Sequence, residues 1–308
     1  MQRDSEQAAS RDALLPFVFD KANVRGALVS LDTTLRDIVG SRDYPPPLAR
    51  ALAELLAAAA LLAASLKLDG SLIVQLSGDG PARLIVVECN DALELRATAQ
   101  WDAERVAALG ADASLAELAG GSTHGRLALT LDPRDSGNLY QGIVSLDSTS
   151  IAASIEHYLA TSEQLQSRLW LAAKADHVRG LLVQRLPGAE TADDATWSRV
   201  TREADAAWPQ ALAQPTFTGM LQSMFAHDDV RIFEPRPVTF RCKCSVARVA
   251  NALRIAGRDE VEAALAERSA VDVTCEFCNR RYSFGADDAR ALFARGAEDA
   301  GSGVGAVR

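Results

Sequence analysis

Leu48 to Cys89 reads LARALAELLAAAALLAASLKLDGSLIVQLSGDGPARLIVVEC, and two kinds of periodicity meet in it. The first half is leucine and alanine on nearly every side. A helix with no polar face is buried among other elements. Pro45-Pro46-Pro47 supplies a rigid entry, so a helix is predicted from about Leu48, with Gly70 as its stop. The second half alternates. Ser71–Ser77 and Arg83–Glu88 read as strands, joined by the turn signal Gly78-Asp79-Gly80-Pro81. A buried helix feeding a hairpin marks the fold as mixed α+β.

Outward from there, LELRATAQ (Leu93–Gln100), RLALTL (Arg126–Leu131), YQGIVSL (Tyr140–Leu146) and GLLVQRL (Gly180–Leu186) read as further strands. Ser148–Leu159 and Glu163–Ala173 carry helical spacing. This predicts an N-terminal α+β domain over residues 1–187. From Gly188 the chain changes character: Gly188–Thr216 is polar, with Trp197 and Trp208 isolated in it, and short helices with little apolar surface are expected there, before Met220–Phe233 becomes apolar again. Segments packed that thinly open at low free-energy cost. Pro235 and Pro237 mark the next boundary. They leave a helical linker over residues 188–237, a small module over 238–295 and a disordered tail over 296–308.

With 308 residues, 48% of them hydrophobic and 24% charged, the chain can bury a sizeable core. A net charge of −9 opposes dedicated nucleic-acid binding, which needs a basic face. The N-terminus, MQRDSEQAASRDALLPF, has no apolar core of the secretion-signal kind. The longest uncharged apolar run, Leu55–Leu66, is shorter than the ~20 residues a bilayer crossing takes, so no membrane association is expected. The expected location is the cytoplasm, where thiols stay reduced.

Four of the five cysteines fall in the last quarter: Cys242-Lys243-Cys244, thirty residues, then Cys275-Glu276-Phe277-Cys278. Zinc takes four tetrahedral ligands, commonly thiolates delivered as two close pairs. The segment between reads as two short helices broken at Gly257, which can bring the pairs together. Four thiolates leave no position for substrate, so the predicted site is a closed one holding one Zn2+. A permanent structural zinc module, a redox switch and a thiol-disulfide enzyme remain open readings. A zinc deaminase needs an H-x-E motif, and none of His124, His157, His177 and His227 has a Glu two residues on. No P-loop, dinucleotide fingerprint or nucleophile elbow is present, so no catalytic residues are expected.

The switch has a physical basis. A small module gains about 3–5 kcal/mol from its own core. Thiolate coordination of zinc contributes roughly 10–16 kcal/mol to such modules. Oxidising the sulfurs removes the ligands, so chemistry at sulfur becomes unfolding. Arg241, Lys243, Arg280 and Arg281 flank the pairs and would favour an anionic thiolate cluster. From Cys242 to Arg281, seven Lys/Arg face six Asp/Glu, a net of +1 that is too small for a nucleic-acid reading. Phe277, Tyr282 and Phe284 are expected to form the module's own core, and Cys89 to be a buried, inert thiol.

FRCKCS (Phe240–Ser245) and CEFC (Cys275–Cys278), with RDYPPPLARALAELL from Arg42, KLDGSLIVQLSGDGP from Lys67, YQGIV from Tyr140, YLATSEQL from Tyr158 and GLLVQRLP from Gly180, resemble the heat shock protein 33 family of redox-regulated chaperones. The resemblance spans nearly the whole chain except both tails and the polar stretch around residues 193–213. It implies a cytoplasmic, ATP-independent holdase that binds zinc through Cys242, Cys244, Cys275 and Cys278 and is inactive when reduced. It implies disulfides Cys242–Cys244 and Cys275–Cys278 on oxidation, with zinc expelled, the linker unfolded and an often dimeric protein holding unfolding clients. Asn279 stands where the family commonly has glycine. Asn tolerates a left-handed turn, so the second pair's knuckle is expected to survive. A constitutive zinc module docking nucleic acid or a ribosome and a thiol-disulfide oxidoreductase using Cys275 and Cys278 are the alternatives. The first predicts indifference to peroxide, the second turnover of a small disulfide without stoichiometric zinc.

Overall fold

The computed structural model of the chain describes residues 11–20, 22–66, 69–121, 125–134, 138–146, 150–187 and 192–299. His124, the start of the expected linker at 188–191 and the tail beyond residue 299 lie outside these. The chain divides into two compact units, Met1–Arg241 and Cys242–Arg308.

The first unit is built on two six-stranded sheets. Sheet A contains β1 (Ala13–Phe19), β2 (Val24–Leu31), β8 (Ser167–Ala173), β9 (Val178–Arg185), β10 (Val230–Ile232) and the short β11 (Arg236–Pro237). They run in the order β10-β1-β2-β9-β8, with β11 also pairing β1. Sheet B contains β3 (Gly70–Ser77), β4 (Ala82–Asn90), β5 (Glu94–Trp101), β6 (Arg126–Pro133), β7 (Tyr140–Ser145) and β12 (Thr239–Phe240), in the order β12-β5-β4-β3-β6-β7. The hairpin predicted between Ser71 and Glu88 forms, with Ser71 opposite Asn90 and Ser77 opposite Leu84.

Helices α1 (Thr33–Val39), α2 (Pro46–Ser65), α3 (Ala103–Ala107), α4 (Leu115–Ala119) and α5 (Ile151–Thr161) complete the α+β part. The leucine-alanine run is α2. It packs on strands of both sheets, and every residue from Leu55 to Leu62 is fully buried. That burial explains why the helix needs no polar face. Pro46 opens it, where a missing N–H costs nothing. It stops at Ser65, earlier than expected, and Gly70 instead opens β3 at φ +150°, where a side chain would meet the backbone of Asp132. At 20 residues α2 is long and apolar enough to cross a membrane, but 72% of that stretch is buried in the protein. Shortening a leucine in its middle should be costly. Leu55→Ala is expected to lower stability by about 2–5 kcal/mol, read as a lower urea midpoint at unchanged slope.

Two further expectations need correction. Residues 167–173 form β8 and not a helix. Leu169 pairs with Leu182 of β9, and the Leu169 N–H donates to Glu156 at 2.7 Å. Gln164, at φ 54°, turns the chain just before it. Tertiary pairing here overrides local helical spacing. The N-terminal run ALLPFVF…VRGALVSL, given no strand on sequence, supplies β1 and β2. Its residues are apolar on both faces, because sheet A is covered on both. Leu14, Ala27, Val29 and Leu182 face the core around α2. Ala13, Leu15, Phe17, Phe19, Leu28, Leu181 and Val183 face the other way.

That second face is covered by α6 (Ala192–Ala211) and α7 (Phe217–Phe225), in the region expected to be helical but thinly packed. The helices form, and α7 is apolar as read from Met220 onward, but α6 buries more apolar surface than expected. Val200, Ala204, Trp208 and Ala211 make one buried stripe along α6, and Phe217, Met220, Leu221, Met224 and Phe225 bury most of α7. The stripe is hard to see in sequence because alanine supplies half of it. Polar tethers flank it. Asp205 accepts from Trp170 Nε1 at 2.8 Å, Arg199 donates twice to Asp228 at 2.9 and 2.6 Å, and Arg179 donates to the carbonyls of Leu212 and Gln214. Pro209 sits in the last turn of α6 without an N–H for the helix ladder, a local weak point.

Candidate metal centre

The second unit is a hairpin with three helices: α8 (Val246–Ala256), α9 (Arg258–Glu267), β13 (Ala270–Thr274), β14 (Arg281–Gly285) and α10 (Ala286–Asp299). As predicted, Gly257 separates α8 from α9, at φ 102°. Its core is Val249, Ala250, Leu253, Val261, Phe284, Ala289 and Leu292. Tyr282 packs against it, whereas Phe277 lies outside this cluster.

The cysteines come from two local structures. Cys242 and Cys244 lie on the extended segment before α8, which Ser245 caps by accepting from the Arg248 N–H. Cys275 and Cys278 form a knuckle at the tip of the β13–β14 hairpin. There Asn279 N–H donates to Cys275 O, and Cys275 N–H to Arg280 O, both at 2.9 Å. Asn279 adopts φ 58°, the left-handed turn expected of it.

All four Sγ atoms lie within 4.8 Å of one another. Across the pairs, Cys242 stands 3.6 Å from Cys275 and Cys244 stands 3.4 Å from Cys278. A disulfide would be about 2.05 Å, so the geometry is that of four thiols. Four sulfurs about 2.3 Å from a central tetrahedral ion stand about 3.8 Å apart. The cluster matches that spacing, and an all-sulfur donor set favours a soft or borderline ion. The residues therefore fit a bound zinc.

Cys242, Cys244 and Cys278 do not ionise independently. Burial raises Cys244, but the Tyr282 hydroxyl, 3.1 Å from its sulfur, and the thiols of Cys278, Cys242 and Cys275 favour its thiolate, which leaves it at about 7. Cys242 and Cys278 are raised, chiefly by burial. The Cys244 proton is thus held loosely, and a dication would help displace those of Cys242 and Cys278. Of the flanking cations, Arg280 bears on the sulfurs. Its pKa is raised by Tyr282 first and then by Cys244 and Cys278. Arg241 pairs with Glu94 at 2.7 Å and Arg281 pairs with Asp272. Sequence reading did not assign Tyr282 this role, since nothing in the spacing puts its hydroxyl on a sulfur. Groups that orient metal ligands typically matter 10–100-fold to affinity. Tyr282→Phe is expected to weaken zinc binding about tenfold, measured by competition with a chromophoric chelator.

Cys89 stays apart. It is fully buried on β4, and burial pushes its thiol up to about 12, as befits an inert residue.

Residues 12–285 match the family model described as Hsp33 protein. The chain belongs to the Hsp33 family. It is 40% identical over 284 residues to the "33 kDa chaperonin" of Methylobacillus flagellatus, which covers 92% of this chain and 94% of that one. It is also 40% identical over 291 residues to the "33 kDa chaperonin" of Pseudomonas syringae pv. tomato, covering 93% and 95%. The crystal structure of an Hsp33 homolog from Thermotoga maritima superposes with a TM-score of 0.73 at 20% identity, over 94% of this chain and all of that one, which supports the fold. The expected membership and α+β fold class are thereby shown. The Hsp33 relatives are named as chaperonins, and the chain is a member of that chaperone family.

Proposed function

We propose that this protein is a redox-regulated, ATP-independent holdase that protects unfolding proteins from aggregation under oxidative stress. The observation that carries this reading is the four-sulfur cluster of Cys242, Cys244, Cys275 and Cys278, brought together from two segments thirty residues apart. In the reduced state one Zn2+ holds these thiolates together and keeps the small unit folded.

Oxidation by a peroxide-type oxidant converts each thiol pair to a disulfide. Each pair of thiolates gives up two electrons to form its S–S bond, and the peroxide takes those electrons with two protons from solvent and leaves as two waters. The proposed pairs are Cys242–Cys244 and Cys275–Cys278. Both disulfides together remove every ligand, so zinc leaves. Residues 238–295 act as the switch, 188–237 as the metastable linker and 1–187 as the chaperone core. The last residue of β12, Phe240, is two positions from Cys242 along the chain. Disorder spreading from the switch therefore reaches β12, β11 and β10, and then α7 and α6. Their departure bares the apolar sheet face of Leu15, Phe17, Phe19, Leu28, Leu181 and Val183, a surface suited to unfolded clients. The oxidised form acts as a homodimer in the cytoplasm, binds rather than catalyses, and requires neither nucleic acid nor membrane.

The test follows zinc release and light scattering from a thermally unfolding client, before and after peroxide at elevated temperature. The expected result is about one zinc released per chain together with suppressed scattering. Equal protection by the reduced, zinc-loaded protein would overturn the proposal.

A further inference from the structure

Beside the end of α2 the packing of sheet A leaves a cavity of about 190 Å3. That is room for about six waters at roughly 30 Å3 each. Leu14, Pro16, Ala27, Ala64, Leu182 and Phe233 give it apolar walls. Its charged lining is two arginines, Arg25 and Arg236, with no carboxylate among the described residues.

Arg25 is held in place from several sides. Its Nε and Nη2 donate to Gln184 Oε1 at 3.1 and 2.9 Å, and Nη2 also donates to the Ser65 carbonyl at 3.1 Å. Gln184 is itself 1% exposed, and its amide is oriented by donating to Ser167 Oγ at 3.1 Å. Among the described residues Arg25 has no ion pair, and its Nη1 makes no hydrogen bond. Arg236, opposite Leu14 in the β1–β11 ladder, spends Nη2 on the Asp91 carbonyl at 2.7 Å. Capping α2 accounts for one donor of Arg25. It does not account for the buried amide that braces the guanidinium, nor for a half-buried cation facing an apolar hollow without a counter-charge. Buried cations are ordinarily paired.

We propose that this cavity binds a small organic monocarboxylate with an apolar body of about six carbons. A carboxylate matches the planar donor fork of arginine, and the apolar walls take the body. A phosphate dianion would lose more hydration than these walls return. The site lies between β1 and the stretch from Phe233 to Arg236, so an occupant also ties that stretch to the sheet.

Hexanoate is the probe, titrated by NMR into the reduced, zinc-loaded full chain, with hexanol, hexylammonium and inorganic phosphate as comparisons. The expected result is saturable binding of one hexanoate per chain with Kd about 1 mM or tighter, and at least tenfold weaker binding of the other three. Arg25→Gln is expected to weaken hexanoate about tenfold. Because that variant removes a brace on α2, Ala64→Phe serves as a second one: it fills the hollow, keeps both arginines, and should abolish binding with the fold intact by circular dichroism. Equal affinity for hexanol would overturn the proposal, as would equal affinity for phosphate or undiminished binding by the filled variant.

Discussion

Stripping the metal from the reduced protein with a strong chelator is expected to unfold residues 242–293 and leave β3, β4 and β6 of the first unit intact. Among the described residues the small unit's core holds seven buried residues, two of them alanine. A core of that size supplies about 3–5 kcal/mol, whereas a four-thiolate zinc site supplies roughly 10–16 kcal/mol. Its secondary structure adds little. The two-stranded β13–β14 hairpin is marginal alone, and α8 and α9 are each shorter than the ~12 residues at which isolated helices begin to hold. The ion therefore decides whether this unit folds. Heteronuclear NMR should show resonances of residues 246–293 collapsing to random-coil positions after chelation, and Cys275→Ser should do the same without chelator. Dispersed resonances in zinc-free protein would contradict the account.

The second large effect is expected from Val200→Asp, which should give a holdase active without oxidant and with its zinc still bound. Val200 is fully buried in the α6 stripe against sheet A. A carboxylate placed there has no cation beside it in that cluster and costs several kcal/mol. The helix can relieve this by leaving the sheet, because ten of the sixteen residues of α6 outside the stripe are polar. Sheet B and the α2 core share no residue with this stripe, so the N-terminal fold should persist. The measurements are binding of a hydrophobic dye, zinc content and client light scattering, all under reducing conditions. Dye binding without client protection would separate exposure of this face from chaperone function and refute the assignment of the client surface.

The metal centre was the most legible part of the sequence. Two close cysteine pairs separated by thirty residues specify a four-sulfur site whatever lies between, because coordination chemistry fixes the geometry. The hairpin from Ser71 to Glu88 was legible for a similar reason, since its turn residues permit few conformations. Strands β1 and β2 were not, because a sheet covered on both faces loses the alternation that marks a strand. Segment 167–173 has helical spacing, and only pairing with β9, which depends on distant residues, makes it a strand. The apolar stripe of α6 was masked by alanines at 204 and 211, which count as core only once a partner surface is known. Tyr282 was assigned to the core by its ring, and its hydroxyl contact to Cys244 appears only in three dimensions.

The most direct test of the coupling is hydrogen–deuterium exchange of the full chain, reduced with zinc bound and again after peroxide. Fast exchange in residues 246–293 and 192–225 of the oxidised protein, with β3, β4 and β6 protected as before, is the predicted pattern. Residues 192–225 retaining their protection while the zinc is gone would show that the thiol chemistry stops at the small unit, and the switch as described would not exist.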